Sequence, residues 1–202
     1  MYDVKDECYY HINTGQELNL GAILEIGHKY NKFYNEIYNS EHLETNKDAN
    51  SILLEMVRAK TLSFQNQQVA SIVLKTVSDS AMITRELMFE ETRKEINENL
   101  PSRLKCLYVC KTESELKTWC AIFKRANKDK YQILKLKLTG KIFLGDASLI
   151  LRQNISLNKK KEQAYKYWHG DKKDNINEYL FIGTAKVVKI INNIWKKEYN
   201  EN

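Results

Sequence analysis

From His28 to Leu100 the chain contains neither a glycine nor a proline. A stretch of that length without the residues that most readily break helices or form turns has few options. Its apolar residues recur at helical spacing, at Ile52, Leu53, Met56 and Val57 and again at Val69, Ile72 and Val73. The spacing predicts two or more long helices. Pro101, the single proline, closes the last of them after TRELMFEETRKEINEN, because the residue before a proline avoids the helical region.

Beyond Pro101 the texture changes to strand-like runs: RLKCLYVC, YQILKLKLTGKIFL with its alternation at Ile133, Lys135 and Lys137, and EYLFIGTAKVVKII. Between them TESELKTWCAIFKRA reads as a short helix, opened by a capping box of Thr112 and Glu115, and another helix leads into QAYKYWHG. NKKKEQ near Lys159 and HGDKKDN near Lys172 read as charged loops. With a first strand at ECYYHIN the expectation is one α+β domain over 1–202, with about 28–100 mostly helical and inserted between the first and second strands.

The 32 Lys and Arg outnumber the 26 Asp and Glu, for a net charge of +6, which favours a polyanionic partner such as nucleic acid. Cys8, Cys106, Cys110 and Cys120 form no C-x-x-C pair and have no histidine at zinc-finger spacing, so reduced, mostly packed thiols and no metal are expected. No apolar run reaches the roughly 18 to 20 residues that span a bilayer, and MYDVKDECYY lacks the pattern of a signal peptide. A soluble, cytoplasmic protein is the expectation; the oligomeric state is not readable.

Three stretches carry chemistry together: YYHINT at 9–14, CLYVCKTESELKTWC at 106–120, and INEYLFIGTAKVV at 176–188. A strand ending in His11, a strand carrying Tyr108 and running into a helix with Trp119, and a strand opened by Asn177-Glu178-Tyr179 resemble the three motifs of the His-Tyr-Glu branch of the ADP-ribosyltransferase superfamily. That branch contains diphtheria toxin and the poly(ADP-ribose) polymerases, and QAYKYWHG and Pro101-Ser102-Arg103 are similar to features of its small bacterial and phage members. The resemblance covers about half the chain and implies a split antiparallel sheet. It also implies an NAD-dependent transferase that moves ADP-ribose onto a macromolecule, in the manner of toxin or phage-defence members.

Under that resemblance His11 bonds the adenosine ribose and the nicotinamide amide region of NAD, Tyr108 stacks on the nicotinamide ring, and Glu178 accepts from a hydroxyl of the nicotinamide ribose. Glycosidic cleavage builds positive charge on the sugar, and a carboxylate fixed at a strand start is suited to stabilise it. Thr14 takes the place of a ligand-binding hydroxyl if the strand end carries a bulge, and Arg103, just ahead of the second strand motif, pairs with an NAD phosphate, with a substrate carboxylate or phosphate, or with the Glu-rich helix FEETRKEINE. Ile12 stands where the family has glycine, and Asn13 where it has Ser or Thr. These departures keep open a catalytically silent module that serves in binding or interaction. Trp119 and Trp168 read as core, Asp146 as a turn or cap residue, and His28, His42 and His169 as exposed.

Overall fold

The computed structural model describes residues 1–39, 43–44, 47–63, 65–125, 131–150 and 155–193. Its elements in chain order are β1 (Tyr2–Asn13), β2 (Ile23–Ile26), α1 (Lys32–Tyr38), a minimal hairpin of β3 (Leu43–Glu44) and β4 (Lys47–Asp48), and α2 (Ala49–Arg58). There follow α3 (Gln67–Ile96), β5 (Leu107–Val109), α4 (Glu113–Arg125), β6 (Gln132–Asp146), α5 (Leu157–His169) and β7 (Asn177–Asn193). The class is α+β. His42 lies outside the described residues, whereas His28 and His169 are exposed.

The five-stranded sheet is antiparallel, in the order β1, β6, β7, β2, with β5 also on β7. β7 serves two partners in succession: Tyr179 to Phe181 pair with β5, and Gly183 to Lys186 pair with β2. The switch falls at Gly183, which faces Gly140 on β6 across the ladder. Both have positive φ, and a Cβ on either would collide with the opposite backbone at 2.2 to 2.5 Å, so the close crossing there requires glycine on both strands.

The sheet rolls until its ends meet. Tyr10 on β1 and Cys110, just past β5, exchange two backbone hydrogen bonds of 2.8 Å. Side chains inside the roll form the main core: Tyr9, Val109, Leu134, Leu136, Leu138, Ile142, Tyr179, Phe181, Ala185 and Val187. Strict alternation along β6 sends Leu134, Leu136 and Leu138 inward and Lys135 and Lys137 outward. Two further cores cover parts of the outer surface. Under α3 and α5, Phe89, Phe143, Ala164, Tyr167, Trp168 and Leu180 pack together; under α4, Ile12, Cys110 and Leu116 do.

Three expectations need correction. β2 precedes the helical stretch, so that stretch lies between the second strand and β5; a four-residue strand bounded by Gly21 and Gly27 is too short to show a clear period. The described residues of 28–100 hold one 30-residue helix, one of 10 residues and one of 7, in place of two or more long ones. NKKKEQ is the opening of α5, capped by the Ser156 hydroxyl and buried through Lys160 and Ala164; its lysines cover the helix surface and do not mark a loop. Among the described residues no helix is long and apolar enough to cross a membrane, and no cluster of His, Cys, Asp and Glu could hold a metal.

Candidate functional site

Arg103 is delivered by the end of α3. Arg93, in the last turn, donates to the carbonyls of Glu98 (2.6 Å) and Leu100 (2.9 Å), and its neighbour Glu90 accepts from Arg93 and from the Ser102 hydroxyl (2.9 Å). These bonds fasten the Pro101-Ser102-Arg103 turn against the helix. Asn31, the N-cap of α1, donates to the carbonyls of Arg103 (2.8 Å) and Cys106 (3.1 Å) and fixes the turn from the other side.

The guanidinium so placed is 5% exposed and carries two carboxylates. Its Nε donates to Glu86 at 2.9 Å, and its Nη1 forms a short ion pair with Oε2 of Glu178. Tyr167 donates its hydroxyl to the same oxygen of Glu178 at 2.6 Å and accepts from Arg103 at 3.2 Å. Arg85 closes the far end on Glu86. Burial pushes Glu86 toward the neutral acid, but Arg103 and Arg85 overcome it and hold the carboxyl below its usual range. Burial likewise opposes charge on Arg103, and Glu178 and Glu86 more than offset it. Buried charge is tolerable here because each member has an opposite partner.

Tyr108 joins this cluster from β5. Its hydroxyl donates to the Arg103 carbonyl (2.9 Å), and the guanidinium lies 5.6 Å from its ring centroid. Its backbone carbonyl faces β1, where Nδ1 of His11 bonds it at 2.8 Å. A carbonyl only accepts, so Nδ1 carries the proton and Nε2 holds a lone pair. Burial pushes His11 down to about 4 against the pull of that bond, which keeps the imidazole neutral at pH 7. His11, Tyr108, Arg103 and Glu178 therefore form one continuous chain of contacts.

Two atoms at the ends of that chain are left over. Among the described residues neither Nε2 of His11 nor Oε1 of Glu178 takes a hydrogen bond. Thr14 stands apart: its carbonyl accepts from Lys32 at 3.2 Å, and among the described residues it makes no hydrogen bond to His11, Tyr108, Arg103 or Glu178. Ile12 is buried against Cys110 and Leu116. The Asn13 amide, bonded to Gln132 Oε1 (3.0 Å) and to the Gln16 carbonyl (2.8 Å), ties the end of β1 to the start of β6.

Both sides of the Glu178 backbone are clamped. The α4 capping box forms as its sequence predicts, and Glu115 then reaches β7 with Oε1, accepting from Asn177 (2.8 Å) and Tyr179 (3.0 Å). Trp119 donates to the Asn177 carbonyl at 3.1 Å, so this ring is a clamp as well as packing. Asp146, fully buried, caps a single 3-10 turn and accepts the N–H groups of Lys173, Asn175 and Ile176 at 2.8 to 3.2 Å. Burial pushes its carboxyl up, but the backbone and Ser148 bonds prevail and hold it down to about 2. Trp168 is core, donating to the Phe89 carbonyl at 2.8 Å.

Sequence reasoning missed Glu86 and Tyr167. Arg103 does pair with α3, but through Glu86, one turn before the FEETRKEINE run. The available signal was the stripe Ala81, Arg85, Phe89, Arg93, which places charged residues on a buried helical face. Tyr167 is marked by Gly145: a Cβ there would sit 2.3 Å from the Tyr167 ring, so the glycine in FLGD makes room for it directly across the ladder from Glu178.

The chain belongs to a family described as "Protein of unknown function (DUF2441)", whose model matches residues 9–193. That span runs from β1 to the end of β7 and takes in every residue of the site. Comparison with curated proteins finds no match.

Proposed function

We propose that this protein is an NAD-dependent ADP-ribosyltransferase of the His-Tyr-Glu type, acting on a macromolecular acceptor, nucleic acid in preference to protein. The observation that carries the reading is the contact chain from His11 through Tyr108 and Arg103 to Glu178, with an unengaged acceptor atom at each end. The groups are of the kinds that NAD would engage. A neutral imidazole offers Nε2 to a ribose hydroxyl, a half-buried tyrosine offers a planar face, and a carboxylate offers Oε1 to a second hydroxyl.

NAD supplies the N-glycosidic bond that breaks and the nicotinamide that leaves. Glu178 then serves as a fixed negative charge beside the sugar carbon where positive charge develops. Arg103 and Tyr167, both on Oε2, are positioning residues: they hold the carboxylate's plane and leave Oε1 free to act. The net charge of +6 favours a nucleic-acid acceptor.

One observation favours a second reading, a catalytically silent binding module. The Arg103 guanidinium neutralises the carboxylate that the leaving nicotinamide requires, and Ile12 fills the position where the family has glycine. Nicotinamide release from NAD separates the two, measured with RNA, DNA and cell lysate as separate acceptors. Glu178→Gln serves as the control because it keeps Tyr167 and Arg103 partnered. Release that is lost in Glu178→Gln and rises with one acceptor supports the transferase. Thermal stabilisation by NAD without release supports the silent module, and neither response removes NAD from the account.

A further inference from the structure

On the outer face of the sheet lysine stands opposite lysine. Lys135 pairs in register with Lys189, and Lys137 with Lys186, on neighbouring positions of β6 and β7. Like charges directly opposite on a ladder are destabilising, and the same sheet avoids the arrangement nearby, where Asp3 on β1 faces Lys141. Among the described residues the only carboxylate in ion-pair range of these lysines is Asp6, 3.8 Å from Lys137. Neither α4 nor the α3 and α5 pair covers this part of the face: Lys137, Lys186 and Lys189 are exposed, and Lys135 is half-buried.

We propose that this face binds single-stranded nucleic acid. Lys135 and Lys137 are alternate residues about 7 Å apart on β6, Lys186 and Lys189 flank a register shift on β7, and neighbouring strands lie about 5 Å apart, so the sheet roots the four ammonium groups as a short comb of fixed positions. Such a comb suits a chain of evenly repeated phosphates better than the mobile headgroups of a bilayer. Tyr10, in the row of Lys135 and Lys189, bounds the patch: its ring is half-buried against the α4 core, its hydroxyl donates to Glu113 at 3.2 Å, and Lys135 Nζ lies 5.9 Å from its centroid. The aliphatic side chains exposed beside the lysines, Ile23, Val188 and Ile191, are too few to form a membrane-inserting face.

The same side of β7 runs on toward the candidate site beneath α3 and α5, where Leu180 is fully buried. From Glu178 to Lys186 the ladder with β6 is unbroken, so Glu178, Leu180, Ile182, Thr184 and Lys186 share one side of β7, with Glu178 about 27 Å from Lys186 along the strand. As a statement about binding the inference stands without any chemistry at Glu178. Any link between nucleic acid held here and that carboxylate rests on the function proposed above.

Fluorescence anisotropy with labelled, mixed-sequence single-stranded RNA and DNA tests it, in the absence of NAD so that an inactive site leaves the result untouched. The expected result is binding that weakens as salt rises. Lys137→Glu with Lys186→Glu weakens it by at least about tenfold and lowers the salt slope by about 1.4, two phosphate contacts at roughly 0.7 each. Lys94→Glu with Lys159→Glu makes the same charge change on α3 and α5 and leaves affinity within about twofold. Lys137→Thr with Lys186→Thr guards against misfolding, since removing like-charge repulsion keeps the melting temperature while binding still falls. Equal weakening by both Glu pairs overturns the proposal, as does no binding to either strand, or capture by phosphatidylserine vesicles with none by oligonucleotides.

Discussion

His11 and Asp146 make opposite electrostatic commitments with the same consequence in acid. His11 is held neutral, down to about 4 from an ordinary 6.5, and Asp146 is held ionised, down to about 2 from 3.8. Each folded pKa lies below its unfolded value, so each contribution is fully present above the unfolded pKa and is lost as pH falls through the folded one. Thermal melts from pH 8 to pH 2 should therefore show a first loss between about 6.5 and 4, from His11, of at most about 3 kcal/mol. A second loss between about 4 and 2, from Asp146, should amount to about 2 kcal/mol. His11→Asn should abolish the first stage and keep the second; a first stage that persists in that variant contradicts the assignment. Glu86 makes a separate prediction, because removing its charge leaves Arg85 and Arg103 sharing what remains of the buried network. Glu86→Gln should cost about 3 kcal/mol in urea unfolding, and a cost below about 1 kcal/mol would mean the cluster is not electrostatically closed. Of these residues His11, Arg103 and Glu178 were recognisable from motif positions. Glu86 was not: the stripe Ala81, Arg85, Phe89, Arg93 marks the buried helical face beside it, but nothing local singles out Glu86 itself.

At the scale of the element, β7 shows how a strand places a charge. Its first residues are gripped on one side by Glu115 and Trp119 of α4, and the loop leading into it is gathered on Asp146. Gly145, opposite Glu178, leaves the space that the Tyr167 ring occupies. Gly145→Ala must displace that ring and with it the hydroxyl that braces Glu178. The expected outcome is a loss of about 1 to 3 kcal/mol in denaturant unfolding, with a changed near-ultraviolet dichroism from the Phe143, Tyr167 and Trp168 cluster. An unchanged aromatic signal would show that the site does not depend on this contact. The capping box at Thr112 and Glu115 and the alternation of β6 were legible because each is complete within a few residues. β2 was not: four residues between glycines become a strand only because the second half of β7 has a free edge to pair with.

At the scale of the whole molecule, the cysteines report how the three cores open. Cys8 is exposed on β1, whereas Cys106 and Cys110 are buried at either end of β5, and burial pushes the Cys110 thiol up to about 12. An aromatic disulfide reagent should label Cys8 at once in native protein and reach Cys106 and Cys110 only at the rate of global unfolding, because β5 is wedged between β7 and the Tyr10 bridge. Fast labelling of Cys110 would show that the β1 to β5 seam opens by itself. By itself the sequence determined the kinds of element and where several of them stop: the glycine-free helical stretch, the Pro101 turn, the alternating strands and the caps, all of which depend on residues a few positions apart. Its resemblance to a known pattern offered His11, Tyr108 and Glu178 as candidates, which belong to the proposed function. Only the tertiary structure decided that the sheet rolls up on itself, that Arg103 is shared between Glu86 and Glu178, and that two lysine pairs face each other on an uncovered surface. Arg103 and Glu178 are 75 positions apart along the chain. Whether such groups meet depends on which faces the packing of the cores brings together, and no local periodicity encodes that.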